Sequence, residues 1–175
     1  MRFHCACIDV DETLYNFSRP LYESFIRDGI KIPEPKDWNK WDCFYPQYMD
    51  EKIAISHFDE IHKRQEEFPP YVEASDFLKR VKTEYYVVIT SHRNPERKRE
   101  LSNWIEENNL PHDEIWVGND KTEMFNKAIF ALVVDDNPNI LLSAKQKGIR
   151  AVGLKKPWNS SYNFELYDSL KDITV

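Results

Sequence analysis

Ile8-Asp9-Val10-Asp11-Glu12-Thr13-Leu14 follows a short apolar run, Phe3–Ile8, with three carboxylates in four positions. Two like charges about 4 Å apart repel by roughly 4 kcal/mol at an effective dielectric near 20, so such crowding needs an offsetting charge. A second acidic pair, Asp135-Asp136, closes another apolar run, Phe130–Val134. One Asp-x-Asp after a strand is ordinarily a turn or a helix cap. Two acidic pairs, each ending an apolar run, point instead to a common edge.

Three further runs have the same character: Tyr85–Ile89, Glu114–Val117 and Ile149–Leu154. All five are brief, rich in Val, Ile or aromatics, and lack clean period-two alternation, which is the pattern of strands buried on both faces in a parallel sheet. Helical patterns separate the later strands. Pro95 to Asn108 carries Leu101, Trp104 and Ile105 at helical spacing behind Asn94, and Asn137-Pro138 opens a helix running to Lys147, which Gly148 ends. Alternating strand and helix predicts a doubly wound α/β fold with a five-stranded parallel sheet.

The stretch between Asp9 and Tyr85 breaks that rhythm. A strand–helix–strand unit needs about 30 residues, leaving about 45 surplus here. The excess is dense in aromatics and holds two expected helices, Ser18 to Asp28 and Asp50 to about Arg64, the second with Ala54, Phe58 and Ile61 as an apolar stripe. The expected organisation is a core of residues 1–17 and 72–175, with residues 18–71 as a small helical cap over the sheet's carboxyl edge. Ligands of open α/β sheets bind at that edge, where strand order reverses. If the first and fourth strands are neighbours, Asp9, Asp11, Asp135 and Asp136 converge. Oxygen ligands without clustered His or Cys favour Mg²⁺.

Composition narrows the choice of function. The chain has 175 residues, 24 Lys+Arg against 30 Asp+Glu, and a formal charge of −6. That acidity disfavours nucleic acid and anionic membranes as partners, and no apolar run approaches the roughly 20 residues of a membrane span. Acids at Asp9 and Asp11 come too early for a secretory signal. Three cysteines, two of them in one strand, do not make a disulfide framework, so a cytoplasmic location is expected. Four glycines leave no room for a Gly-rich phosphate loop. His57, His62, His92 and His112 show no metal-ligand spacing, and Cys43 reads as a packing residue.

The second strand ends in Thr90-Ser91, bringing hydroxyls and backbone N–H groups to the same edge, and Lys121 opens a segment just before the fourth strand, with Lys127 as its rival. In order, Asp9-Val10-Asp11-Glu12-Thr13, Thr90, Lys121 and Asp135-Asp136 resemble the four motifs of the haloacid dehalogenase-like phosphohydrolases. The resemblance implies sheet order 5-4-1-2-3, placing the first and fourth strands side by side. It implies catalysis by Asp9, Asp11, Thr90 and Lys121, with Asp9 as nucleophile, an aspartyl-phosphate intermediate, and Asp11 as acid and then base. Thr90, Ser91 and Lys121 would bind the phosphoryl group. Mg²⁺ would be held by Asp9, the Asp11 backbone carbonyl and Asp135, with Asp136 orienting water on the ion. Glu12 departs from the glycine of many members, at a position expected to matter through its backbone.

The cap's position, Phe68-Pro69-Pro70-Tyr71, Asp120-Lys121-Thr122 and Asp135-Asp136-Asn137-Pro138 are similar to the 5′(3′)-deoxyribonucleotidase branch. Lys156-Pro157-Trp158-Asn159 resembles related nucleotidases. The expected substrate is accordingly a small phosphomonoester, with a nucleoside 5′-monophosphate ahead of a sugar phosphate. Trp38, Trp41 and Tyr45 are the candidates for facing it. A third alternative, a nucleic-acid-binding or regulatory module, would read the basic run Arg93, Arg97, Lys98 and Arg99. Glu96 and Glu100 interleave that run, which favours a solvated helix face.

Overall fold

The structure, a computed structural model, describes residues 4–126 and 129–175. Phe3, the expected start of the first strand, and Lys127, the rival lysine, lie outside the described residues. Six parallel strands form one sheet: β1 (Cys5–Asp9), β2 (Tyr86–Ser91), β3 (Glu114–Val117), β4 (Phe130–Val134), β5 (Arg150–Leu154) and β6 (Glu165–Tyr167). Their order is β3-β2-β1-β4-β5-β6. The five expected strands keep the order 5-4-1-2-3. The expected count is corrected by β6, a three-residue strand beside β5. Its Glu-Leu-Tyr sequence has no apolar run, and only pairing with β5 makes it a strand.

Both faces of the sheet are buried, as the strand composition requires. Ala6, Ile8, Leu132 and Val134 join the larger hydrophobic cluster on one face, while Cys7, Phe130 and Val133 join a second cluster on the other. The flanking helices are α3 (Ala74–Glu84), α4 (Lys98–Glu107) and α5 (Pro138–Gln146). The Asn94 side chain accepts from the Glu96 N–H at 3.1 Å, but Pro95–Arg97 forms a 3₁₀ turn before α4 starts. Asn137 accepts from the Asn139 N–H at 2.9 Å and Pro138 fills the first turn of α5, so both local signals act as capping chemistry dictates.

Residues 18–71 contain α1 (Ser18–Arg27) and α2 (Glu51–Lys63), the latter capped by Asp50, whose carboxylate accepts from the Lys52 N–H at 2.8 Å. Leu21 and Phe25 of α1 pack with Ala54 and Ile61 of α2, Trp38 and Phe44 in a hydrophobic cluster of their own. Trp158, from beyond β5, completes it.

Glu12 occupies the left-handed region, φ +63°, which explains why glycine suits that position. Its side chain matters too, beyond the backbone role expected from sequence. The buried carboxylate pairs with Lys156 at 2.5 Å and accepts from the Ser18 N–H, and Lys156 also donates to the Tyr71 hydroxyl at 3.1 Å. Glu12→Gly relieves a left-handed strain of roughly 1–2 kcal/mol. It also leaves a nearly buried lysine unpaired, at a cost of about 3–5 kcal/mol. The variant is expected to be less stable by about 2 kcal/mol in urea denaturation, and a gain in stability would show the ion pair to be dispensable.

Candidate active site

Register fixes the site. Asp9 is paired across from Thr90, and Ile8 from Val134, so Asp9 and the Asp135-Asp136 pair leave adjacent strands at the same edge. Gly153 in β5 permits this, because a Cβ there would collide with the Asp135 carbonyl oxygen. Asp9, Asp135 and Asp136 are all buried, and each offers a carboxylate oxygen within 4.8 Å of the others. Lys121, 3% exposed, begins a 3₁₀ segment, Lys121–Asn126, and its ammonium lies between two of these acids. It donates to Asp9 Oδ1 and, at 3.0 Å, to Asp135 Oδ2.

The remaining acceptors are unevenly satisfied. Asp135 Oδ1 accepts from the Asn137 N–H at 2.9 Å, and Asp136 Oδ2 accepts from the Trp158 indole at 2.9 Å. Asp9 Oδ2 and Asp136 Oδ1 are buried with no partner among the described residues. Burial raises the Asp9 carboxyl to about 8 although Lys121 pulls it down, and repulsion from Asp135 and Asp11 adds to the rise. Burial and the neighbouring Asp9 and Asp135 raise Asp136 as well. Two orphaned carboxylate oxygens beside an acid cluster with one ammonium fit a hard divalent cation of the Mg²⁺ class. Asp136 thereby joins Asp9 and Asp135 as a candidate ligand, rather than acting only behind them.

Asp11 is placed differently from its neighbours. Its carboxylate accepts from the Tyr15 hydroxyl at 3.0 Å, the Ser91 hydroxyl at 3.1 Å and Arg93 Nη2 at 3.0 and 3.3 Å, and it lies 3.1 Å from His62 Nε2. Burial works to raise its pKa, but Arg93 and His62 outweigh that and hold it below the usual carboxylate range. Thr90 and Ser91 are fully buried and are not among the residues lining the cavity. The Thr90 hydroxyl donates to the Ile8 carbonyl at 3.3 Å, and Ser91 Oγ receives Arg93 Nε at 2.6 Å. Both hydroxyls thus bond within the protein, Thr90 to β1 and Ser91 to the Asp11–Arg93 pair.

Above the acids opens a cavity of about 340 Å³, a size suited to a small molecule. Asp9, Asp11, Lys121 and Asp135 form part of its wall; Trp38, Trp41, Phe44, Tyr45, Phe58 and Trp158 supply aromatic surface. All three aromatics singled out in the sequence therefore line it. His62 and His92 line it too, although their spacing gave no sign of this. Sequence reasoning also missed the inward course of Arg93. Its side chain is wholly buried, and Arg97 pairs with Asp59 at 2.7 Å, so the basic run is no continuous surface. Lys156-Pro157-Trp158-Asn159, which in sequence carries only a resemblance, braces Glu12 through Lys156 and Asp136 through Trp158 and Asn159. No helix among the described residues is long and apolar enough to cross a membrane.

Strand order, inserted helices and acid-tipped edge together give a fold shared with solved haloacid dehalogenase-like proteins. A haloacid dehalogenase-like family hydrolase from Streptococcus pneumoniae superposes with a TM-score of 0.70 at 15% identity, over 97% of this chain and 96% of that one. The HAD-hydrolase YfnB from Bacillus subtilis, bound to magnesium, gives 0.64 at 13% identity over 98% and 97%. CbbY from Rhodobacter sphaeroides, in complex with phosphate, gives 0.62 at 16% identity over 97% and 96%. Structures of dehalogenases also share the fold. No protein-family model and no curated protein matches the sequence.

Proposed function

We propose that the chain is a Mg²⁺-dependent phosphomonoesterase that works through an aspartyl-phosphate on Asp9 and acts on a nucleoside 5′-monophosphate. The observation carrying this reading is the free Asp9 Oδ2, buried beside Lys121, Asp135 and Asp136 on the wall of an aromatic cavity. Asp9 Oδ2 attacks phosphorus and the P–O ester bond breaks, splitting one hard displacement into two easier ones. The negative phosphoryl group entering beside Asp11 opposes the Arg93 and His62 contacts that keep it ionised, so that Asp11 takes up the proton it gives the departing alkoxide and then takes one from the water that cleaves the acyl phosphate. Lys121 holds phosphoryl oxygens, and backbone N–H groups after β2 supply further donors. A magnesium ion held by Asp9, Asp135 and Asp136, with the Asp11 backbone carbonyl, would offset the negative charge of acids and phosphate.

The site suits a dehalogenase less well. A 2-haloacid carries its own carboxylate, and the one lysine on the described wall already serves two acids. Displacing a halide needs one nucleophilic carboxylate, whereas three buried carboxylates suit a metal-assisted reaction on a phosphate. For the leaving group, residues 18–71 act as the cap. Their aromatics offer stacking surface for a flat base, each such contact being worth about 1–3 kcal/mol. A sugar phosphate could not use that surface as fully.

Phosphate release from a panel of nucleoside and sugar monophosphates, with Mg²⁺ and with EDTA, tests the proposal. The expected result is release that requires the metal and favours a nucleotide at least about tenfold in kcat/KM, the equivalent of one stacking contact. Equal rates on sugar phosphates would remove base recognition. Halide release from a 2-haloacid without phosphatase activity would remove the reaction itself.

A further inference from the structure

Four residues of α2 line the cavity: Glu51, Ile55, Phe58 and His62. Their spacings of four, three and four place them on one face of the helix. His62 Nε2 lies 3.1 Å from Asp11, at the end that holds the buried acids. Glu51 stands eleven residues earlier, roughly 16 Å away along the helix axis. The helix therefore runs the length of the cavity, from the acids to the outer wall. Asp42 joins Glu51 there: the Tyr45 hydroxyl is raised by burial first, and then by Glu51 and Asp42. Both acids are exposed, and neither carboxylate has a hydrogen-bond or ion-pair partner among the described residues. Helix chemistry accounts for at most one of them. An acid in the first turn of a helix is favourable by itself, but Asp50 already caps α2 and Asp42 lies in a turn.

The two ends of the cavity ask different things of a ligand. At the inner end Asp9 Oδ2 is buried without a partner, beside Lys121. Lys121 is the one Lys or Arg on the described wall, and its ammonium already serves Asp9 and Asp135. The outer end sets two carboxylates beside the aromatic surface of Trp41 and Tyr45, with no Lys or Arg among them. An ionised carboxylate accepts hydrogen bonds and donates none. A group lodged there must therefore offer N–H or O–H, and a second phosphate meets like charge.

We infer that Asp42 and Glu51 are specificity-determining residues that select a nucleotide whose base carries an exocyclic amine and whose sugar carries no second phosphate. This rests on the nucleoside 5′-monophosphate reading proposed above and narrows it to guanine, adenine or cytosine. Uracil, thymine and hypoxanthine lack the amine. Stacking alone would not separate the two groups, because every base has an aromatic face.

Matched pairs isolate the amine. Guanosine and inosine differ only by it, while cytidine and uridine exchange an amine for a carbonyl on rings of equal size. Affinities of the free nucleosides, read by quenching of tryptophan fluorescence, need no turnover. The same ratios are then read as kcat/KM on the 5′-monophosphates. In at least one pair the aminated member is expected to bind about tenfold more tightly, the scale of a hydrogen bond to a charged acceptor. Asp42→Ala combined with Glu51→Ala is expected to bring that ratio below about twofold. Glu51→Gln keeps an acceptor and removes the charge. It is expected to retain part of the ratio while improving a nucleoside 3′,5′-bisphosphate by at least about threefold relative to the 5′-monophosphate. That gain should shrink at high salt.

If neither pair is distinguished, or if the distinction survives in the double alanine variant, the base selection is overturned. An unchanged bisphosphate ratio in Glu51→Gln overturns the exclusion of a second phosphate. Nucleosides told apart with no phosphate released from any 5′-monophosphate would remove the phosphomonoesterase and leave the base selection standing. Phosphate release without that distinction does the reverse.

Discussion

Asp9→Asn is expected to reduce phosphate release from every monophosphate by at least about 10⁴-fold, the scale on which loss of a covalent nucleophile is felt. Asparagine preserves shape and cannot form the acyl phosphate. The same substitution should stabilise the metal-free protein, because burial already disfavours the ionised Asp9 carboxylate. The sign follows from linkage. With a folded-state pKa raised to about 8 from 3.8, the folded protein binds the extra proton between those values. Its contribution to stability is therefore complete below about pH 4 and is lost as pH rises toward 8. His62 and His92, lowered first by burial, act in the opposite direction, but they are common to both proteins. Urea denaturation in EDTA from pH 5 to 8 should thus show wild type falling progressively behind Asp9→Asn. Wild-type turnover in the variant would end the proposed mechanism, and a flat stability difference would show that Asp9 is ionised throughout.

The second large effect belongs to Lys121→Met. The ammonium is buried between Asp9 and Asp135, with Asp136 close by and two acid oxygens already unpartnered. Removing one member of a buried charge pair costs about 3–5 kcal/mol. Here it leaves three acids facing one another, so the loss in EDTA should reach that range. Saturating Mg²⁺ should restore much of it by supplying the missing charge, giving a larger metal-dependent shift in unfolding midpoint than in wild type. Turnover should fall even in the metal-loaded variant, since the ammonium proposed to hold the phosphoryl oxygens is gone. Lys127→Met is the control from the sequence. If it abolishes turnover while Lys121→Met does not, the assignment of the lysine is reversed.

Much of the site's frame was legible because it depends on strand ends. Asp9 and Asp135 each follow a short apolar run that suits a buried strand, and a parallel sheet sends all such ends to one edge. Lys121 was legible only through its place in the motif series the chain resembles, with Lys127 as its rival, and Trp38, Trp41 and Tyr45 by lying in an irregular aromatic stretch. The orientation of Asp11 was not legible. Four of its partners come from positions 15, 62, 91 and 93, and no period or spacing links them. Arg93 read as part of a surface run because local charge pattern carries no information on burial. Thr90 and Ser91 were correctly placed at the edge, but the choice of hydrogen-bond partner depends on rotamers set by the Ile8 carbonyl and Arg93.

Residue pattern alone determined the parallel sheet, the presence of inserted helices and the edge to which the acids point, while the strand order that brings them together came from the resemblance. Those features follow from backbone periodicity and from the need to bury apolar side chains, which act over a few neighbouring residues. Tertiary structure decided which acid stays unpaired, which is clamped, and that β6 extends the sheet. These depend on pairings between groups far apart in the chain, whose strength in a water-poor interior is set by distances of a few ångströms.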